Sequence, residues 1–575
     1  MKKHTIKSYA IVAVAAATTV ACNPLNNMTK RAEEVTYSVT PNPLEMHGDS
    51  IEVNISGAIP PKFFNKKVSV EITPTLNYEG GNVTFDKIVL VGEDSEVEGQ
   101  KIPYEKGGNF AYNDVIAYQD GMDVATLDAA PVGKYKGKSK EFPSEQIATG
   151  TIITPMWAME DDMPMIGADE FTKVVPMEQQ ATINYLVNRS NVRSSELRDD
   201  DVKNMKEWVG EKADHPMFKF KGIDVVAYAS PEGEISLNAN LADDRAKSGA
   251  NVAKNMLRRN GVKKASDKDF ANLMGKGEDW NGFKSAMQAS DIKDKDLILR
   301  VLEMYEDKAK REEEIRNLAA TFEVIEEKIL PGLRRSIVTV KGEMTSFSDE
   351  KITEYAKSNP DTLTAEELLY AATLTDDMDK KLTIYKSFAQ IHPKDWRGPN
   401  NIGYIYVMQE KLEDAKAEFD KANSLAPNNK VVMNNLGVIA RANGDTEKAM
   451  EYYNSAKGAG AAVGNNIGYL NMMEGDYQNA VSNYGGVKTF NAALAQTLNK
   501  DYQEAVQTID ASPASDQAAG YYLKAVIGAR QGDKNMMVSN LKSAIAKDAS
   551  LKAKAKKDAE FTEYKDDAEF QAAVN

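Results

Sequence analysis

Residues 400–406 read Asn-Asn-Ile-Gly-Tyr-Ile-Tyr, and residues 434–440 read Asn-Asn-Leu-Gly-Val-Ile-Ala. Gly437 follows Gly403 by 34 residues (437 less 403). Behind each stretch come residues of matched size: Ala415, Phe419 and Ala422 in the first unit, Ala449, Tyr453 and Ala456 in the second. Small residues let two helices approach closely, and large ones fill the gap between them. One step back from Gly403 lies Leu369, with Ala372, Tyr385, Phe388 and Pro393 in register. One step forward lies Asn465-Asn466-Ile467-Gly468, with Ala480 and Tyr484, at a slightly short spacing. Degenerate units follow around Asp501–Ala505 and Gly532-Asp533. A fixed period of this kind marks a stack of helix pairs, each burying its face against its neighbours. The spacing predicts an all-α solenoid over residues 360–575, closed by a charged, solvated capping helix at the C-terminus.

Upstream of the repeats the character changes twice. Residues 31–180 are rich in Val, Ile, Thr and Tyr, with Gly, Pro and Asn breaks. Val35–Ile59 and Lys66–Tyr78 alternate with period two, and Asn77–Asn82 reads as a turn. No helical period persists, so an immunoglobulin-like β-sandwich is expected, serving as spacer and protein-binding module. Residues 181–345 run strand, helix, strand, helix, then a charged helical stretch, then a strand from Arg335. The chain is thus multidomain: β-sandwich, α+β domain, helical solenoid.

The first residues read MKKHTIKSYAIVAVAAATTVAC. Lys2, Lys3 and Lys7 precede a short apolar run that is too short to span a bilayer, so residues 1–21 are expected to be a signal peptide. Its cleavage would take the net charge from -15 to -18 through loss of three lysines. Cys22 is the only cysteine and stands where a lipoprotein signal needs one, so it is the expected acylation site. The stretch resembles a bacterial lipobox, although Thr19 stands where Leu is usual. Residues 22–30 read as a polar tether. They lack the acidic cluster of surface-exported Bacteroidota lipoproteins and the Asp of enterobacterial inner-membrane retention. The expected location is therefore the outer membrane, lipid-anchored and facing the periplasm.

Two more resemblances carry expectations. The 34-residue units resemble tetratricopeptide repeats, which implies a concave groove for a partner's peptide. Asn401, Asn435 and Asn466, with Asn400, Asn434 and Asn465 before them, recur at one phase. They either bond a bound peptide backbone or are solvent-facing polar positions. Asn238-x-x-Leu241-x-x-x-Arg245-Ala246, with Arg334-Arg335 before a closing strand, resembles the signature of OmpA-like C-terminal domains. That resemblance implies peptidoglycan binding, with Arg245 taking a carboxylate and an Asp taking an ammonium. Here Ser230 stands at the Asp position, and Glu232 is the nearest acid that a rearranged turn could use. The bland alternative for Arg245 is a structural salt bridge to Asp243, Asp244 or Glu232.

An enzyme is not expected. No nucleophile elbow, phosphate loop or dinucleotide fingerprint follows a strand, and the four histidines lie far apart. No cofactor or metal set is discernible. Asp161-Asp162 and Asp199–Asp201 read as surface acids or a helix N-terminus rather than a calcium loop. Trp280 and Trp396 read as packing residues. The acidic balance argues against nucleic acid. The expected role is a scaffold for envelope protein assembly, with envelope proteins as partners through the repeat groove. The alternative is an anchor joining the outer membrane to peptidoglycan.

Overall fold

The computed structural model describes residues 23–317 and 319–575, so the leader and Cys22 lie outside the described residues. Two units form. One holds the residues up to Gly167 together with Lys394–Asn575, and the other holds Ala168–Pro393. The strand-rich start and the later repeats therefore share a unit although they are far apart in sequence.

In the first unit, strand Ser50–Ile59 lies between Thr36–Thr40 and Gly108–Ala117 in a four-stranded sheet. A seven-stranded sheet is built on Ser69–Tyr78 paired antiparallel with Ala125–Tyr135. Period-two alternation sends Ile51, Val53 and Ile55 of one sheet and Val70, Ile72 and Leu76 of the other into one core. The strands end at Gly150. Residues 24–30, expected to be a tether, instead form a helix, Pro24–Lys30, capped by the Asn23 side chain. Leu25 and Met28 lie one helical turn apart, and both are buried in the sandwich core. Polar composition hid those two anchors.

The repeats are antiparallel helix pairs, beginning Arg397–Met408 with Leu412–Leu425 and Lys430–Ala442 with Thr446–Ala456. Their glycines are explained by contact. A Cβ on Gly403 would lie 2.6 Å from the Phe419 ring, and one on Gly437 2.4 Å from the Tyr453 ring. The C-terminal end is not a solvated cap. Phe561, Phe570 and Val574 are buried with Tyr522 and Leu541 in a core of their own. Sandwich and repeats are locked by polar contacts as well. Arg530 bonds Glu560 through two nitrogens and reaches Glu45 at 2.8 Å, and the Thr154 hydroxyl donates to the same Glu560 Oε1.

The second unit has a four-stranded sheet in the order Val174–Asn184, Arg335–Thr345, Phe218–Ala229, Ala271–Glu278. The first three pair antiparallel and the last pairs parallel with Phe218–Ala229. Helix Ile235–Arg259 packs Ala246, Ala250, Ala253 and Leu257 on this sheet. The strand Ala271–Glu278 was not expected from the sequence. It is a mostly exposed edge strand with polar residues, so it carries no alternating apolar signal. Four helices between Trp280 and Lys328 form a separate small core around Phe283, Met287 and Ile298. The earliest repeat residues close this unit, with Leu369, Ala372, Tyr385 and Phe388 buried.

Candidate functional site

Seven asparagines line the inner helices of the repeats, and none is solvent-facing. Asn400, Asn434, Asn435 and Asn465 are fully buried, and Asn401, Asn466 and Asn491 are 1% exposed. They grip main chain, and the main chain is the protein's own. Residues 158–167 (Ala-Met-Glu-Asp-Asp-Met-Pro-Met-Ile-Gly) run without helix or strand along the groove.

The grip repeats as a clamp. The Asn435 Oδ1 accepts the Met165 N–H at 2.7 Å, and its Nδ2 donates to the Met165 carbonyl at 2.7 Å. Asn401 does the same to Gly167, at 2.7 and 2.9 Å. Asn466 does so to Met163, at 2.9 and 3.2 Å, and Asn491 to Met159, at 2.9 and 2.6 Å. The preceding asparagines add a second donor: Asn400 to Met165, Asn434 to Met163, Asn465 to the Asp161 carbonyl. The amides also bond one another, Asn435 to Asn400 and Asn466 to Asn434. Buried amides need such partners, because an unmade bond costs about 1–3 kcal/mol. An extended chain offers one peptide facing the same way every second residue. One asparagine pair per repeat therefore matches every second residue of the strap.

Side chains add to the main-chain grip. Asp162 pairs with Arg441, and Glu160 lies 3.6 Å from the same guanidinium. Met165 and Trp396 both pack against the core of the repeats, and Trp157 stacks edge-on to Tyr522 at 5.1 Å. Asp161 and Asp162 are thus groove residues rather than surface acids. Burial pushes the Asp161 carboxyl up to about 6, against the amides of Asn491 and Asn465 and with the Asp162 charge. Asp199–Asp201 do sit at a helix start, that of Asp200–Ala213.

Residues 400–429 and 432–459 match the family model for the tetratricopeptide repeat. These units are tetratricopeptide repeats. Stacked repeats of this kind build an extended concave surface suited to protein–protein interaction. Among solved structures, a tetratricopeptide repeat protein from Parabacteroides merdae is 14% identical, with a TM-score of 0.26, over 40% of this chain and 91% of that one. Pseudomonas aeruginosa PilF is 14% identical, with a TM-score of 0.26, over 39% of this chain and 97% of that one. YrrB, described as having an unusual peptide-binding site, is 18% identical, with a TM-score of 0.20, over 36% of this chain and all of that one. No curated protein sequence matches the chain.

In the second unit, Ser230, Glu232 and Asn238 come together at the end of strand Phe218–Ala229. The Ser230 hydroxyl donates to Glu232 at 2.7 Å, and Asn238 donates to the Glu232 carbonyl at 2.9 Å and to Glu278 at 3.1 Å. The Glu232 carboxylate is already held by Arg334, at 2.9 and 3.0 Å. Arg334 is a partner that the sequence pattern placed just before the closing strand without a role. Arg245 makes no salt bridge among the described residues, contrary to the structural expectation. Its guanidinium, 1% exposed, donates to the carbonyls of Arg189, Tyr228 and Leu186 at 2.9–3.2 Å. Burial lowers its pKa to about 10, with the neighbouring Tyr185 opposing. Beside the turn, Glu312 accepts the Gly233 N–H at 2.8 Å. The space left between Pro231, Trp280, Phe283 and Glu312 is about 10 Å³, room for one water at most. No group of three or more His, Cys, Asp or Glu is placed to hold a metal among the described residues. No helix among them is long and apolar enough to cross a membrane.

Proposed function

We propose that the protein is a non-enzymatic outer-membrane lipoprotein of Bacteroidota type, facing the periplasm, that scaffolds the assembly of envelope proteins. The observation that carries this reading is the asparagine ladder. It is a device for holding extended main chain. The leader and Cys22 support a lipid anchor. Helix Pro24–Lys30 begins two residues after Cys22 and is docked in the sandwich, so acylation there would hold the sandwich close to the lipid headgroups. The strand order of the second unit and its Asn238–Arg245 stretch support an OmpA-like domain.

The alternative, a cell-wall anchor, needs Arg245 and an acid free for a zwitterionic ligand. In this fold Arg245 is engaged by three carbonyls and Glu232 by Arg334, which favours the scaffold. Purification of the tagged chain from gently solubilised membranes should return a stable complex with other envelope proteins. Recovery of the bait alone would sink the scaffold. Co-sedimentation with purified sacculi would restore the anchor. Incorporation of a fatty-acid analogue should vanish in Cys22→Ser, and incorporation that persists would end the lipid-anchor reading.

A further inference from the structure

The strap fills the groove, but one rung is only half made. From Gly167 back to Met163 each asparagine clamp holds both the N–H and the carbonyl of every second residue. The next residue in that phase is Asp161, and only its carbonyl is held, by Asn465. The following clamp, Asn491, skips to Met159. Polar atoms without a partner gather around the strap here. They are both Asp161 carboxylate oxygens, Asn465 Oδ1, the Tyr484 hydroxyl and Arg441 Nε, and the nearby Asn491 and Asn465 amides offset only part of the cost of burying the Asp161 charge. The cation on this stretch, Arg441, is taken by Asp162 and Glu160. At neutral pH the strap therefore brings a poorly compensated carboxylate into the groove.

We propose that residues 158–167 are a displaceable occupant, and that the site's other ligand is an extended segment of a partner protein. That segment would be apolar at alternate positions, carry one carboxylate for Arg441, and have an uncharged hydrogen-bonding side chain where the strap has Asp161. The clamps read main-chain groups that every extended peptide carries, so selectivity falls to the side chains. The strap is tied at both ends and rebinds at high effective concentration. A partner's apparent affinity is lowered by the fraction of time the groove is filled. The strap is thus an autoinhibitory contact, and this rests on the protein-binding reading of the repeats.

The probe is a fluorescein-labelled peptide copying residues 157–169 with Asp161→Asn, titrated into the full chain by anisotropy. Gly167→Val in the chain should loosen the strap alone, since a Cβ at Gly167 would lie 2.8 Å from the Arg397 side chain. The apparent Kd should tighten at least tenfold in that variant. Adding Asn435→Ala should weaken it at least tenfold again. Amide exchange of residues 158–167 shows independently whether the strap has been released. Released strap with no peptide binding would overturn the proposal, as would binding indifferent to Asn435→Ala. Strap-exchanged dimers that bind no peptide would overturn it too. A bait-only membrane purification would count against the scaffold, while the peptide assay would still report on the groove.

Discussion

Asn435→Ala isolates what one clamp contributes. In the wild type this fully buried side chain bonds the Met165 N–H, the Met165 carbonyl and the Asn400 Oδ1, and it accepts a longer bond from Asn434 Nδ2 at 3.3 Å, a donor that also has the Met163 carbonyl. Truncation leaves the Met165 N–H and the Asn400 Oδ1 without those partners. The Met165 carbonyl keeps its bond from Asn400 at 3.1 Å. Two abandoned buried groups at about 1–3 kcal/mol each, part-relieved by water, destabilise the closed strap by about 2–4 kcal/mol. At about 1.4 kcal/mol per decade, the open state becomes roughly 30-fold or more populated. Hydrogen exchange with mass spectrometry measures this locally, which suits a chain of several modules that need not unfold in one step. Amides of residues 163–167 should exchange faster by that factor, while exposed Asn454→Ala leaves them unchanged. Equal protection in Asn435→Ala and wild type would refute the clamp as an energetic element.

Three other perturbations test different parts of the structure. Gly437→Ala places a Cβ against the Tyr453 ring and should lower stability by about 1–3 kcal/mol, read as a lower melting temperature of the repeats. Asp161 has a carboxyl raised to about 6 in the groove, so the strap-bound state holds its proton better than the open state. That stabilisation is complete below the ordinary carboxylate range and is lost as pH rises through about 6. Strap protection, corrected for intrinsic exchange, should therefore be greater at pH 5 than at pH 7.5 by about 1 kcal/mol, and Asp161→Asn should flatten the difference. Arg530→Ala strips the cation from Glu560, whose side chain is 1% exposed, and should destabilise the sandwich–repeat junction by about 3–5 kcal/mol in thermal denaturation.

The repeats were legible because their signal is local and periodic. Glycine recurs where a ring from the paired helix leaves no room for a Cβ, and an asparagine pair recurs two and three positions before it. The sandwich was legible from alternation at Ile51, Val53 and Ile55. The strap was not, because its ten residues carry no regular element of their own. Its partners lie between 234 and 332 positions away in sequence. The Met159, Met163, Met165 phase was a usable signal, yet period two within a strand-rich stretch reads as one more strand. Asn491 was missed because it stands 25 residues after Asn466 (491 less 466) rather than at the repeat period. The polar cluster of the second unit was read from its family positions. The sequence could not show that Arg334 takes Glu232 and that Arg245 turns to the backbone, since both depend on the turn after Ala229. Leu25 and Met28 were overlooked for a related reason: two apolar residues in a polar stretch define a buried helix face only when a core is there to receive them.

What occupies the asparagine groove is the decisive property of this molecule. A photo-cross-linking amino acid at position 469, a ring that lies 5.7 Å beneath the Arg441 guanidinium, reads this directly by mass spectrometry of the linked peptides. The predicted adduct joins position 469 to residues 158–167 of the same chain in the purified protein, and is lost when Asn435 and Asn466 are both replaced by Ala. An adduct to any other part of the chain, or one that survives the double replacement, would contradict it.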